Sequence, residues 1–67
     1  MIPAIKESAA AFELIQNHPS GDPKPIQQDL EITHRLSKTG KIIGINMVDH
    51  IIIGGNRFFS FADEGLL

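Results

Sequence analysis

Cysteine is absent from the 67 residues. No disulfide can staple the fold, and no thiolate can bind a metal or act as a nucleophile. That agrees with a reducing, cytoplasmic setting. A long apolar run is absent too. The longest aliphatic stretch, Ile51-Ile52-Ile53, falls far short of the roughly 20 residues that a membrane-spanning helix needs. The beginning of the chain is not expected to be a signal peptide, because Lys6 and Glu7 interrupt its apolar stretch. Positive charge is scarce: Lys and Arg number 6 against 8 Asp and Glu, for a formal charge of −2. A general electrostatic affinity for nucleic acid is therefore not expected.

What remains is a globular composition, with 42% hydrophobic and 21% charged residues. The length suits one small domain, which buries only about 60% of the surface its unfolded chain exposes. Ile2, Ile5, Ala9 and Phe12 are spaced by three or four residues, which predicts a short amphipathic helix from Met1 to Ala11. Phe12, Leu14 and Ile15 then read as a buried strand running into Gln16. Residues Asn17 to Pro25 hold three prolines, a glycine and polar turn formers, so they form a loop.

From Ile26 to Lys41 the pattern is helical, with Ile32, Leu36 and Ile43 on one stripe and Leu30 and Thr33 beside it. Asp29 and Glu31 at the start, and Lys38 and Lys41 at the end, complement the helix dipole. Gly40 or Gly44 offers the stop. Met47 to Ile53 is rich in β-branched residues, Gly54-Gly55-Asn56 supplies a turn, and Arg57 to Phe61 resumes as a strand. Ala62 to Leu67 reads as a terminal turn. The expected class is α/β, in the order α-β-loop-α-β-β.

The loop carries the chemistry. A histidine, His18, leaves a strand end, a proline-stiffened loop follows, and Asp29 sits in the first turn of the next helix. Two side chains eleven positions apart can thus converge on one ion, with the prolines lowering the entropy of holding the loop. The run Asn17-His18-Pro19-Ser20-Gly21-Asp22, its spacing to Asp29, and the block Asp49-His50-Ile51-Ile52-Ile53-Gly54 resemble the RadC family. Ala9-Ala10-Ala11 and Gly40-Lys41-Ile42-Ile43-Gly44-Ile45 extend the resemblance over nearly the whole chain.

The resemblance implies a partial JAB/MPN domain (cytidine deaminase-like), with residues 1–67 as the C-terminal portion. It implies a JAMM metal motif, H-x-H-P followed by S-x-x-D, and zinc-dependent hydrolysis in a family associated with DNA repair. Carried over residue by residue, the second histidine falls on His18 and the aspartate on Asp29, both zinc ligands. The first histidine falls on Gln16, an altered ligand position, and the motif serine on Ile26. The family's catalytic glutamate has no match here, since Glu7 and Glu13 stand in the wrong context. Catalytic zinc takes three protein ligands and a water, and a neutral amide oxygen suits calcium or magnesium better. The expectation is a catalytically impaired chain, with zinc as the cofactor only by resemblance and no confident catalytic residue.

The bland readings stand beside this one. His18 can be a hydrogen-bonded loop residue, and Asp29 a helix-start acid. His50, among isoleucines, reads as structural, and Asp49 as a partner of nearby loop backbone. His34, Arg35, Lys38 and Lys41 read as a solvated helix face rather than a phosphate-contacting patch. Phe59 and Phe61 share one side, as core, while Phe58 takes the other. An unpaired sheet edge would let the chain pair with itself or with a partner chain that completes the sheet. The competing reading is a non-catalytic interaction or structural remnant. A nucleic-acid accessory that uses the basic helix is a third.

Overall fold

A computed structural model describes residues 4–8 and 10–67, with side chains described from Ala10 onward. The elements are strands β1 (Ala4–Ser8) and β2 (Ala11–Asn17), helix α1 (Gln27–Ile43), and strands β3 (Asn46–Gly54) and β4 (Arg57–Ser60). The strands form one four-stranded sheet in the order β1-β2-β3-β4. β1 and β2 are antiparallel, β2 and β3 parallel, and β3 and β4 antiparallel. Parallel neighbours cannot be joined by a tight turn. The loop and α1 form that crossover, and α1 packs on β3.

The mixed α/β architecture agrees with the sequence reading, but its first element does not. The helix expected over Met1 to Ala11 is a strand where it is described: Ala4 to Ser8 pairs with Ile15 to Ala11. Met1, Pro3 and the positions Ile2 and Ala9 of the proposed stripe lie outside the described residues. Ladder pairing with the adjacent strand, from Ser8 with Ala11 out to Ala4 with Ile15, outweighs weak local helix propensity in so short a segment.

The helix runs over the expected residues and stops at Gly44, whose φ of 81° places it in the left-handed region, with its amide bonded to the Gly40 carbonyl. Its inward line differs from the expected one. Asp29, Thr33 and Gly40 are buried, whereas Ile32 and Ile43 are exposed. Gly40 belongs to the interior rather than to the stop. A Cβ there would overlap the Ile45 carbonyl oxygen, so the helix end and the start of β3 touch backbone to backbone.

The apolar core is Leu14, Met47, Ile52 and Phe61. Phe61 meets Phe59 edge to face, with centroids 5.4 Å apart, while Phe58 is exposed. The β3–β4 hairpin turns through Gly55 and Asn56, and Gly55 takes a positive φ of 62°. Asp49 accepts hydrogen bonds from the Ser60 hydroxyl at 2.6 Å and the Ala62 amide at 3.0 Å, tying the terminal turn to β3. Among the described residues no helix is long and apolar enough to cross a membrane.

Candidate functional site

The parallel pairing of β2 and β3 brings the two strands to the same end of the sheet, where the chain leaves β2 into the loop. Gln16, on β2, faces α1 together with Leu14. His18 follows directly, and its amide still donates to the Ile53 carbonyl at 2.8 Å. The loop turns at once. The Gly21 amide bonds to the His18 carbonyl at 3.0 Å, with Pro19 inside the turn and Gly21 at a φ of 84°. The Lys24 amide bonds to the Asp22 carboxylate at 3.0 Å.

The loop then lies on β3. A Cβ on Gly54 would sit 2.5 Å from the Pro23 nitrogen and 2.6 Å from the Asp22 carbonyl carbon. Glycine at 54 therefore permits the close approach that fixes the loop, more than it serves the hairpin turn. Ile26 is the N-cap of α1 in an extended conformation (φ −97°, ψ 169°), so Asp29 is the third helical residue and points back over the helix start.

Gln16, His18 and Asp29 meet there, all three buried. The Gln16 Nε2 donates to Asp29 Oδ1 at 2.5 Å. His18 Nε2 lies 3.0 Å from Asp29 Oδ2 and 3.3 Å from Gln16 Nε2. His18 Nδ1 lies 2.9 Å from the Asp22 carbonyl oxygen. A carbonyl only accepts, so Nδ1 carries a proton and donates it. When Nε2 is also protonated it donates to the Asp29 carboxylate. When it is not, its lone pair accepts from Gln16, and that lone pair is the one a metal would take. A backbone carbonyl on the other ring nitrogen is the arrangement that orients metal-binding histidines.

Asp29 also accepts the Ile26 backbone amide at 2.9 Å. Burial opposes the Asp29 charge, but the Ile26 amide, the Gln16 amide and the His18 ring outweigh it and hold the carboxyl below its ordinary value. Ile26 itself provides no side-chain acceptor for the helix amides, and its side chain is exposed.

Two ordinary ligands and an amide do not amount to a catalytic zinc site. Among the described residues no three His, Cys, Asp or Glu side chains gather in one place. Ligands about 2.0–2.1 Å from a tetrahedral zinc stand about 3.3 Å apart, whereas the Gln16 amide and Asp29 carboxylate are hydrogen-bonded to each other at 2.5 Å. The donor set fits a closed hydrogen-bonded cluster better than an ion cage. Glu13 pairs with Asp49 and lies on the sheet face opposite Gln16, so it cannot supply a general base here. The side chain of Glu7 lies outside the described residues.

A second group adjoins the cluster from within the core. His50 is completely buried and stacks on Phe61, with centroids 4.6 Å apart and planes 8° from parallel. Its Nδ1 contacts the Thr33 hydroxyl, and Thr33 Oγ1 donates to the Asp29 carbonyl at 2.7 Å. His50 Nε2 has no hydrogen-bond partner among the described residues. Burial holds this ring below its ordinary pKa. The structural reading of His50 agrees with this setting. Its link through Thr33 to Asp29 has only a weak sequence signal, a Thr four residues after an acid, spaced to bond that residue's carbonyl. His34, Arg35, Lys38 and Lys41 are all exposed on α1 and away from the cluster.

The sequence model of the RadC-like JAB domain family matches residues 1–66. A UPF0758 protein of Geobacter sulfurreducens is 60% identical over 65 residues, which is 97% of this chain and 28% of that protein. A UPF0758 protein of Trichlorobacter lovleyi is 58% identical over 65 residues, again 97% and 28%. One from Bacillus licheniformis is 50% identical over 64 residues, covering 96% of this chain and 29% of that relative. The chain thus spans less than a third of the length of these relatives. The chain belongs to the RadC-like JAB domain family.

Proposed function

We propose that this chain is part of a RadC-like domain that keeps the place of the family's ion pocket, with Gln16 and Ile26 altering two motif positions so that zinc-dependent hydrolysis of the JAMM kind is impaired. The observation that carries the reading is the direct contact of Gln16, His18 and Asp29, three motif positions, in one buried cluster at the start of α1. In this reading zinc is the family's metal, His18 and Asp29 are its two weak ligands, and Gln16 stands where a third would be. Ile26 at the motif serine's position has no hydroxyl to polarise a bound water, and Glu13 lies on the opposite sheet face, where it cannot take the proton. The association with DNA repair comes with the family, and a cytoplasmic setting with the absence of cysteine. Purified chain should contain well under one zinc per molecule by elemental analysis. The double change Gln16→His with Ile26→Ser should raise zinc affinity. Stoichiometric zinc in the unaltered chain, or no gain in the double variant, would refute the reading.

A second reading is favoured by the other face of the sheet. Ile53 and Phe58 are exposed there, and together with Ile51 they line a groove of about 470 Å³ beside the hairpin. In this reading the chain is a non-catalytic module that self-associates through a sheet edge and this apolar face, or pairs with a partner chain that completes the sheet. Light scattering that finds only monomer at micromolar concentration dismisses it.

A further inference from the structure

We infer that Thr33 and His50 are positioning residues that hold the Asp29 carboxylate against Gln16 and His18. The direction of the relay follows from proton counting. A threonine hydroxyl has one proton, and Thr33 gives it to the Asp29 carbonyl at 2.7 Å. Its oxygen must then accept from His50, so His50 carries its proton on Nδ1. The remaining nitrogen, Nε2, is left buried with no partner among the described residues. Turning the ring over would keep the stack on Phe61 but break the Thr33 contact.

The geometric consequence lies at the helix start. His50 belongs to β3, whose neighbour β2 carries Gln16. Thr33 lies one helical turn after Asp29. The relay therefore fastens the backbone of Asp29 to the same sheet that positions Gln16 and leads into His18. It is a second hydrogen-bonded link between α1 and the sheet, beside the one from Gln16 to Asp29. The N-cap adds little restraint, because Ile26 has no side-chain acceptor. The relay goes beyond the proposed ion pocket and holds whether or not an ion binds there, so the two ideas fail separately.

The test is amide hydrogen exchange by NMR on the metal-free chain at constant pH. The Ile26 amide, which donates to Asp29 Oδ2 at 2.9 Å, reports on the carboxylate's place. The Leu14 and Ile52 amides report on the fold as a whole. In Thr33→Val, which keeps shape but loses the hydroxyl, Ile26 protection should fall about five- to tenfold more than that of Leu14 and Ile52, the size of one lost hydrogen bond. The Gln16 side-chain amide signals should shift with it. Thr33→Ser should restore both. His50→Phe keeps the stack but removes the donor from the other end, and should reproduce the Thr33→Val pattern. A uniform fall at all three amides, or no change at Ile26, overturns the inference. So does loss of the folded spectrum in both variants, since the pair would then hold the fold rather than the carboxylate.

Discussion

The Gln16 side-chain amide and the Asp29 carboxylate stand 2.5 Å apart, joined across the loop that carries His18. This contact draws a strand end and a helix start together. A hydrogen bond to a charged, buried group contributes about 1.5–3 kcal/mol. Gln16→Leu should therefore destabilise the chain by about that much, read as a lower midpoint in urea denaturation. A midpoint unchanged from the parent would mean that the contact contributes nothing.

Ile26 stands at a helix N-cap with no oxygen to offer. Ile26→Ser alone, without the Gln16 change, should stabilise the chain by about 0.5–2 kcal/mol. The exposed isoleucine gives up little packing when removed. Denaturant midpoints of the two proteins, compared at equal slope, decide this.

Gly40 inverts a general rule. Alanine is favoured over glycine in a helix interior by about 1 kcal/mol. Here the added Cβ meets the Ile45 carbonyl oxygen, and backbone at the mouth of β3 cannot step aside. Gly40→Ala should be destabilising by about 1–3 kcal/mol, the range for overpacking. A thermal melt that shows a higher midpoint would contradict the contact.

Stability should fall on the acid side in two stages. The buried His50 ring lies below its ordinary value of 6.5 in the folded chain, so the unfolded chain binds that proton more readily. The loss begins as pH drops below about 6.5. For Asp29, burial opposes the charge, and the Ile26, Gln16 and His18 hydrogen bonds outweigh it and keep the folded carboxyl below 3.8. Its contribution is present above about 3.8 and is lost as pH falls through the lower folded value. Urea midpoints across this range should be flat above neutrality and fall below it. In His50→Phe the first stage should disappear while the second persists. A first stage that survives in that variant belongs to another group.

Much of this organisation was legible in the chain. Three prolines and the short spacing of His18 to Asp29 marked the loop, and the match to the family blocks identified Gln16, His18 and Asp29 as one site. Gly44 and the hairpin at Gly55 followed from residues that accept positive φ. The inward face of α1 was not legible in the same way. Hydrophobic periodicity assigns Ile32 and Ile43 to the core, but the sheet receives Thr33 and Gly40 because it offers a histidine and a close backbone there. The first strand was also missed, since its partner residues, Ala11 to Ile15, are what make Ala4 to Ser8 extended.

The order of residues alone therefore determined which groups could meet: a proline-held imidazole, an acid at the third helical position and the amide that precedes them. The first two are matters of spacing and local stiffness; the place of Gln16 came with the resemblance to the family's motif. Only the folded sheet decided that they close on one another, that His50 reaches Asp29 through Thr33, and that Gly54 lies under the loop. These contacts join segments whose separation in sequence carries no information about their distance in space until β2 and β3 lie side by side.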